Sequence, residues 1–294
     1  MTTTSPLLKS MLFVPGDSEK KMAKAHGTRA SALILDLEDA VSIERIDIAR
    51  DMTREYLASH TDRVRQQVWV RVNPLATPLA LPDLAAVVGG APDGIVLPKV
   101  ESAQDVVRLD HYLTALEQRD GVAHGTVRIL VVATETPQAV FALDSYRGVS
   151  PRLAGLTWGA EDLSTAIGAS TNRSEDGEFE FTYQVARALC LLGAHAAGVQ
   201  AVDTLSVDFR DAERLKRDVR ASRRAGFSGK IAIHPDQVDI INTGYSPDDD
   251  EIRHARAVIA AFEKAGGAGT VQLDGKMIDK PHLAQARRVL AAAG

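Results

Sequence analysis

Short apolar runs recur along this chain of 294 residues, and most of them end in a charged or polar residue. The runs lie at residues 11–14, 32–35, 68–72, 95–97, 129–133, 153–158, 201–205 and 231–233. Apolar runs at such spacing, separated by helical patterns, are typical of buried parallel strands that are joined by helices. About eight strands close a barrel whose interior is filled by side chains. The sequence therefore predicts an α/β fold, a (β/α)8 or TIM barrel, with its active site where the strands end.

The chain is longer than the roughly 250 residues of a typical single barrel. We expect residues 1–246 to form the barrel and residues 247–294 to form a C-terminal helical extension that packs on a neighbouring subunit. Within the extension, Asp248 is expected to cap an amphipathic helix over 248–266. A polar segment at 171–181 is predicted to be a longer loop over the rim. The competing fold is a doubly wound open sheet, but no Gly-x-Gly-x-x-Gly follows the first strand, which disfavours a dinucleotide-binding form.

Composition restricts the possible partners. The formal net charge of −5 leaves no global basic field that favours nucleic acid or an anionic membrane. No apolar stretch approaches the roughly 20 residues of a membrane span, and residues 1–14 lack the pattern of a signal peptide. The single cysteine, Cys190, rules out an internal disulfide framework and is predicted to be a buried structural thiol. We therefore expect a cytoplasmic protein that binds neither nucleic acid nor membrane.

Two acidic residues, Glu135 and Asp162, end successive predicted strands, so the barrel places them side by side on one rim. Two carboxylates suit Mg²⁺, which completes its octahedron with waters and substrate oxygens. The histidines are scattered without the paired spacing of a zinc site. Either acid alone would more simply cap a helix or pair with an arginine, but two acids on adjacent strand ends favour a metal site.

Arg71 lies in an otherwise apolar strand, where an unpaired guanidinium would be very unfavourable. It is expected to bind an anionic substrate, to form an ion pair with Glu38 or Asp39, or to do both. The turn at Gly159 and Ala160 consists of small residues, and its backbone N–H groups are suited to cradling a carboxylate. These residues are therefore candidates for substrate binding.

Other polar residues at the strand ends have weaker assignments. Lys99 would form a Schiff base with a keto substrate if burial lowered its pKa, but an ion pair with Glu101 or Glu135 is favoured. His234 is interpreted as a hydrogen-bonded structural imidazole. Three lysines on the rim after the first strand either meet ligand phosphates or are solvated: Lys20, Lys21 and Lys24.

Seven short motifs occur in order along the chain. They are LFVPG at 12–16, LDLEDAV at 35–41, RVN at 71–73, LPKVE at 97–101, ETP at 135–137, GAEDL at 159–163 and GKMID at 275–279. Together they resemble the citrate lyase β-subunit-like branch of the HpcH/HpaI aldolase family, which includes malyl-CoA and citramalyl-CoA lyases. The resemblance covers nearly the whole chain.

The resemblance implies Mg²⁺ bound by Glu135 and Asp162, in agreement with the interpretation of the residues. It implies that Arg71 contacts substrate oxygens and that the turn at Gly159 and Ala160 holds the carboxylate of a keto acid. Glu38 and Asp39, the expected partners of Arg71, are counted with the substrate-binding residues.

Two further residues enter through the resemblance. It implies that Asp279 acts as a general acid and base across a subunit interface in a homotrimer or hexamer. Lys9 stands where family members often have arginine, so a point charge replaces a bidentate fork in binding an acyl or phosphate group.

The expected reaction is Mg²⁺-dependent cleavage or formation of a 3-hydroxyacyl-CoA thioester such as malyl-, citramalyl- or citryl-CoA, with a 2-oxo acid and an acyl-CoA as the other partners. Coenzyme A is then part of the substrate. Three alternatives stay open: a malyl-CoA-type thioesterase, a citrate lyase β-subunit that acts on an acyl-carrier-protein thioester, and a Schiff-base aldolase that uses Lys99.

Overall fold

A computed structural model of the chain describes residues 7–266 and 269–293. The chain divides into two compact units, Met1–Asn242 and Thr243–Gly294. The division falls close to the boundary at 246 that the sequence suggested. Packing of the second unit on a neighbouring subunit stays a prediction.

In the described part of the chain, eight parallel strands close into a barrel in sequence order, and β1 pairs with β8. The strands are β1 (Ser10–Pro15), β2 (Ala32–Asp36), β3 (Gln67–Arg71), β4 (Gly94–Leu97), β5 (Arg128–Val132), β6 (Leu153–Thr157), β7 (Gln200–Asp203) and β8 (Gly229–Ala232). Each predicted apolar run overlaps one of these strands. The predicted (β/α)8 barrel is therefore confirmed, and the open sheet is excluded.

Helices follow the strands, as parallel connections require. They are α1 (Glu19–His26), α2 (Ile46–Ser59), α3 (Ala80–Val87), α4 (Ala103–Asp120), α5 (Pro137–Phe141), α6 (Ala160–Ala166), α7 (Phe181–Ala197), α8 (Ala212–Ala225) and α9 (Pro235–Gly244). The predicted rim loop at 171–181 is irregular until Phe181 begins α7. No helix among the described residues has both the length and the apolar character needed to cross a bilayer.

Apolar side chains from alternate strand positions fill the barrel interior, so the lumen is a packed core. Trp69 on β3 is the largest of them and is fully buried. Its ring lies against Gly94 on β4, where a Cβ atom would stand only 2.2 Å from the ring. Glycine at position 94 is therefore required by the tryptophan beside it.

The second unit contains α10 (Asp249–Lys264), an antiparallel hairpin of β9 (Thr270–Leu273) and β10 (Lys276–Asp279), and α11 (Lys280–Ala293). The predicted cap is confirmed, because Asp248 and Glu251 form a reciprocal capping box at the start of α10. The hairpin was not predicted, although Asp274-Gly275 at its turn is a strong hairpin signal. The extension is therefore not purely helical.

A buried ion pair holds the end of the barrel opposite to the strand ends. Arg152, which precedes β6, donates to both carboxylate oxygens of Glu117 on α4, at 2.7 and 2.6 Å. Backbone N–H groups of Gly125 and Val127 donate to the same carboxylate. Burial alone would raise the pKa of Glu117, but these hydrogen bonds and the Arg152 charge hold it below its usual value. The pair therefore fixes α4 to the segments that lead into β5 and β6.

We predict that Glu117→Ala lowers the free energy of unfolding by about 3–5 kcal/mol, because it leaves the Arg152 charge buried without its main partner. Glu117→Gln, which keeps the shape, should lose less. Since the pKa of Glu117 is depressed on folding, its contribution is present above about pH 4.3, its unfolded value, and is lost as the pH falls through the folded value. Urea unfolding at pH 7 and pH 3 measures both effects. Equal losses for the variant at the two pH values would contradict this assignment.

Candidate functional site

A cavity of about 660 Å³ opens at the carboxyl ends of the barrel strands. Six of the predicted site residues line it together: Asp39, Arg71, Glu135, Gly159, Ala160 and Asp162. Glu38 lies just behind this wall, buried, in contact with Arg71 and Lys99. The structure thus brings the main sequence candidates to one place.

Arg71 is the last residue of β3, and Asp36 is its register partner at the end of β2. Its Nε and Nη2 atoms donate to the two oxygens of Asp36, both at 2.7 Å, in a bidentate pair. Its Nη1 atom lies 2.9 Å from Glu38 Oε2 and 3.2 Å from Asp39 Oδ2. The predicted ion pairs with Glu38 and Asp39 are present, and the sequence interpretation missed the stronger pair with Asp36. The ring of Phe13 lies under the guanidinium at 4.6 Å.

Burial opposes ionisation in this cluster, and the neighbouring charges decide the outcome for each group. Burial would lower the pKa of Arg71, but the hydrogen bonds and charge of Asp36 keep it above its usual value. For Glu38, burial outweighs the charges of Arg71 and Lys99 and raises the pKa to about 7. Burial would raise the pKa of Asp39 too, but Arg71 and Lys99 hold it below its usual value. Asp39 therefore carries a full charge at neutral pH, whereas Glu38 is partly protonated.

Lys99, two residues after β4, faces these acids. Its ammonium contacts Glu38 Oε1, lies 3.1 Å from Asp39 Oδ1 and lies 3.4 Å from Asp162 Oδ1. The predicted side-chain partners, Glu101 and Glu135, were therefore wrong. Burial would lower the pKa of Lys99, but these carboxylates raise it above its usual value. A protonated amine is not a nucleophile, so the arrangement disfavours the Schiff-base alternative.

The backbone of Lys99 has a separate role. Its φ of +50° lies in the left-handed region, which is strained for a residue with a side chain by roughly 1–3 kcal/mol. In this conformation the Lys99 N–H donates to Glu135 Oε2 at 2.5 Å. The strained turn therefore holds the carboxylate of Glu135.

Glu135 follows β5, and its side chain is only 3% exposed. Burial raises its pKa to about 8; the Lys99 N–H opposes this rise, and the nearby charge of Asp162 adds to it. Asp162 lies in the first turn of α6 and is partly exposed to the same cavity. The N–H and the charge of Lys99 do not offset the burial of this carboxylate beside an acidic neighbour. The donor set of these two residues therefore fits a hard divalent cation.

Two carboxylates supply only part of the ligands that such a cation needs. Among residues 7–266 and 269–293, no group of three or more histidine, cysteine, aspartate or glutamate side chains is arranged to hold a metal ion. A pair of carboxylates that leaves most positions to water and substrate is usual for Mg²⁺, whereas structural zinc needs four protein ligands. The pair at Glu135 and Asp162 is thus suited to a catalytic cation that binds substrate directly.

The turn before α6 lies against Glu135. A Cβ atom at Gly159 would stand 2.8 Å from Glu135 Cγ, so glycine is required for this close approach. The N–H of Gly159 donates to Thr134 Oγ1 at 3.1 Å. The N–H groups of the first turn of α6, from Ala160 onward, have no intrahelical acceptor, and Ala160 lines the cavity. Of the predicted turn, Ala160 is therefore better placed than Gly159 to donate to a carboxylate.

The sequence interpretation missed an aromatic wall of the cavity, formed by Trp158 after β6 and by Phe179. Trp158 lines the cavity, and its indole N–H donates at 2.7 Å to Asp203 at the end of β7. Arg187 on α7 forms a bidentate pair with the same carboxylate. Phe179, from the predicted rim loop, packs edge-on against Trp158 with ring centres 4.9 Å apart. The polar Asp203 within an apolar run was the signal for this wall.

The opposite side of the cavity is basic. Lys21 and Lys24 on α1 line it, as does His234 after β8. The imidazole of His234 stacks on Phe209 with ring centres 4.5 Å apart, and its Nδ1 accepts a hydrogen bond from the backbone of Asp236. His234 thus has the structural contacts expected of it, although it also borders the cavity.

Lys9 is not among the described residues that line this cavity, and Asp279 belongs to the other unit. Lys9 immediately precedes β1, at the end of the barrel where strands begin, whereas the cavity lies where they end. Asp279 belongs to the second unit, where its half-exposed carboxylate contacts His282 Nδ1 at 2.5 Å. The hydrogen bond with His282 lowers the pKa of Asp279. We do not include Lys9 in the site, and the role of Asp279 stays a prediction.

A closed parallel barrel with an acidic, cation-suited cavity at its strand ends defines a TIM-barrel enzyme. A family model described as carbon–carbon bond lyases of the TIM-barrel fold matches residues 178–294. The model of the HpcH/HpaI aldolase/citrate lyase family matches residues 9–235, and the chain belongs to that family. The resemblance inferred from the seven motifs is confirmed, and the chain is a carbon–carbon lyase by family.

Curated relatives cover almost the whole chain. The citrate lyase subunit beta of Haemophilus influenzae is 35% identical over 289 residues, which are 98% of this chain and 97% of that protein. A (3S)-malyl-CoA thioesterase of Cereibacter sphaeroides is 35% identical over 292 residues, 97% of this chain and 94% of that protein. A crystal structure of CitE from Mycobacterium tuberculosis in complex with magnesium, acetoacetate and coenzyme A has a TM-score of 0.80 and 32% identity and covers 97% of each chain.

The raised pKa of Glu135 has a consequence for stability without a cation. The folded state binds this proton more tightly than the unfolded chain, so the free energy of unfolding falls as the pH rises from about 4.3 towards 8. We predict that Glu135→Gln, which removes the buried charge and keeps an acceptor for the Lys99 N–H, is more stable than wild type at pH 8.5 in EDTA, by about 1–3 kcal/mol.

The difference should vanish near pH 5, where Glu135 is protonated in the folded wild type. Thermal and urea unfolding of both proteins across this pH range measure it. Glu161→Gln, on the exposed neighbour of Asp162, is the matched control and should track the wild type. A Glu135→Gln protein that is less stable than wild type at pH 8.5 would show that the buried carboxylate is already compensated.

Proposed function

We propose that the chain catalyses Mg²⁺-dependent cleavage, or formation, of the carbon–carbon bond of a 3-hydroxyacyl-CoA thioester such as malyl-, citramalyl- or citryl-CoA. The products of cleavage are a 2-oxo acid and an acyl-CoA. One observation carries the proposal: the carboxylates of Glu135 and Asp162 share a cavity with the guanidinium of Arg71. The named relatives, a citrate lyase subunit, a malyl-CoA thioesterase and a CitE bound to magnesium and coenzyme A, support it.

Glu135 and Asp162 are the residues that would hold the cation. When bound, Mg²⁺ supplies Lewis-acid polarisation of the substrate oxygen that becomes the ketone of the 2-oxo acid. The two protein carboxylates leave open positions for the substrate's own carboxylate and hydroxyl oxygens. The first-turn N–H groups of α6, from Ala160 onward, are placed to donate to the same carboxylate. The carboxylate of the substrate, held by the cation and these N–H groups, would thus fix the orientation of the substrate.

Arg71 stabilises the negative charge that develops on the thioester oxygen as the carbon–carbon bond breaks. A guanidinium has five N–H groups, and its hydrogen bonds with Asp36 and Asp39 occupy three of them, one on each nitrogen. One N–H of Nη2 therefore remains for a substrate oxygen. Because the ion pairs fix the guanidinium beforehand, little reorganisation accompanies the reaction.

The thioester's nucleotide portion carries phosphates, and the basic side of the cavity suits them. Lys21 and Lys24 on α1 follow β1, across the barrel from Glu135 and Asp162, which follow β5 and β6. A substrate that binds with its acid end at the carboxylates would extend its phosphates towards these lysines. A cavity with an acidic side and a basic side across from it favours a coenzyme A ester over a small free acid.

In cleavage the substrate hydroxyl loses a proton to solvent as it becomes the ketone, and the enolate carbon gains a proton; condensation reverses both transfers. The transfer at the carbon needs an acid or base beside it. In this proposal Asp279 of a neighbouring copy, in a homotrimer or hexamer, performs this transfer. Its lowered pKa makes it a carboxylate at neutral pH, which is the base required for condensation. His282, 2.5 Å away, is placed to deliver a proton to that carboxylate in the cleavage direction.

Thioester hydrolysis in the same cavity is the second candidate, because a named thioesterase is as similar to the chain as the citrate lyase subunit is. The two reactions give different products. Cleavage yields a 2-oxo acid and leaves the thioester intact, whereas hydrolysis yields free coenzyme A and the hydroxy acid. Following both a ketoacid signal and free thiol therefore separates them.

The decisive experiment incubates malyl-, citramalyl- and citryl-CoA, and the same acyl groups on an acyl-carrier protein, with the protein in Mg²⁺ or in EDTA. We expect 2-oxo acid without free thiol from at least one thioester, and only with Mg²⁺. Asp162→Asn should lose activity by about 100-fold, whereas Glu161→Gln, the adjacent acid, should stay close to wild type. Free thiol without 2-oxo acid would select the thioesterase. Activity on an acyl-carrier-protein thioester alone would select the complex-bound subunit, and full activity in EDTA would exclude the metal role.

Asp279 is tested by mixing inactive variants. Asp279→Ala and Arg71→Met proteins should each lose turnover by at least about 100-fold, since each lacks a group that acts only in the transition state. If Asp279 acts on a neighbour's cavity, unfolding and reassembling the two together should restore part of the activity. Restoration requires that one copy supplies Asp279 to the intact Arg71 site of another. Full inactivity of the reassembled mixture, with both variants folded, would place Asp279 in its own chain's site or outside the mechanism.

A further inference from the structure

Lys99 contacts both residues of the Glu135 and Asp162 pair, and it does so through two different groups. Its backbone N–H donates to Glu135 Oε2 at 2.5 Å. Its ammonium lies 3.4 Å from Asp162 Oδ1. The left-handed backbone at φ +50° directs the N–H towards one carboxylate while the side chain reaches the other. One strained residue therefore bridges the two carboxylates that are proposed to hold the cation.

The charges in the cluster do not balance. Among the described residues, two basic and five acidic side chains share this side of the cavity: Arg71, Lys99, Asp36, Glu38, Asp39, Glu135 and Asp162. Arg71 contacts Asp36, which ends β2, and the two acids that follow that strand, Glu38 and Asp39. Lys99 is thus the cation that reaches Asp162 in the described structure. A carboxylate excess of this kind attracts a further cation.

A divalent cation on Asp162 and the ammonium beside the same oxygen would repel each other strongly at such a distance. The ammonium has other partners to which it can withdraw, because it also contacts Glu38 and lies 3.1 Å from Asp39. The backbone N–H on Glu135 is not involved in this exchange and stays in place.

We propose that Lys99 is a positioning residue that prepares the carboxylate pair for the divalent cation. Its N–H fixes Glu135, and its ammonium occupies Asp162 until the cation arrives and displaces it towards Glu38 and Asp39. This inference rests on the proposed function, in which Glu135 and Asp162 bind Mg²⁺. The Lys99 ammonium then competes with the metal for Asp162 and stabilises the cavity when no metal is bound.

Removing the contact between the Lys99 ammonium and Asp162 should tighten metal binding. Lys99→Met keeps the backbone N–H and the side-chain length but removes the ammonium. Lys99→Gly removes the ammonium and relieves the left-handed strain. Titration calorimetry with MgCl₂ in the absence of substrate should show tighter binding to both variants, by about tenfold in Kd. Lys99→Arg, which keeps the charge, should bind Mg²⁺ within about threefold of wild type.

Two controls separate this role from general electrostatics and from stability. Lys20→Met removes a charge from exposed α1 on the same end of the barrel and should change the Kd for Mg²⁺ less than about twofold, because solvent screens it. In EDTA, Lys99→Met should melt at a lower temperature than wild type, and saturating Mg²⁺ should close that difference. If Lys99 were purely structural, the melting temperature of Lys99→Met would stay below that of wild type in saturating Mg²⁺.

Unchanged or weaker Mg²⁺ binding by the folded Lys99→Met and Lys99→Gly proteins would overturn the role of Lys99 while leaving the metal site intact. A wild-type protein that binds no Mg²⁺ would overturn the metal site and the role of Lys99 together. Equal tightening by Lys20→Met and Lys99→Met would show that only net charge matters and would also overturn the specific role.

Discussion

The site depends on the bidentate ion pair between Arg71 and Asp36. These residues end neighbouring strands, and the register of β2 with β3 places them side by side. An arginine at a buried strand end without such a partner would be very unfavourable. With Asp36 in place, Nη1 is free to hold Glu38 and Asp39, and those acids in turn hold the ammonium of Lys99. The order of the cluster therefore follows from one pair.

The positive charges of Arg71 and Lys99 do not offset the burial of Glu135. That carboxylate is buried, receives an N–H from Lys99 and has the charge of Asp162 nearby, which together raise its pKa to about 8. A protein selected only for stability would not retain such a group, and uncompensated polar groups of this kind concentrate at functional sites. The acidic side chains at the strand ends of the barrel therefore outnumber the basic ones that neutralise them. A divalent cation is the ligand that this excess of acidic side chains would bind.

Much of this was predictable because barrel strands are continuous apolar runs whose ends must converge on one rim. That argument placed Arg71, Glu135 and Asp162 together without a structure. Asp36 was missed because LDLEDAV offers three acids, and only the register between β2 and β3 selects the one opposite Arg71. The partners of Lys99 depend on a left-handed turn that periodicity does not reveal. Conversely, the position of Lys9 just before β1 already indicated the opposite end of the barrel.

The account rests on a divalent cation held by Glu135 and Asp162, and a crystal grown with Mn²⁺ in place of Mg²⁺ tests this most directly. Anomalous scattering locates the ion without reference to the fitted atoms. We expect one strong peak at about 2.1 Å from an oxygen of each carboxylate, at the upper end of the range that Mg²⁺ takes. We also expect that the ammonium of Lys99 has moved away from Asp162. Absence of a peak between these two carboxylates, in a crystal soaked well above the measured Kd, would contradict the account.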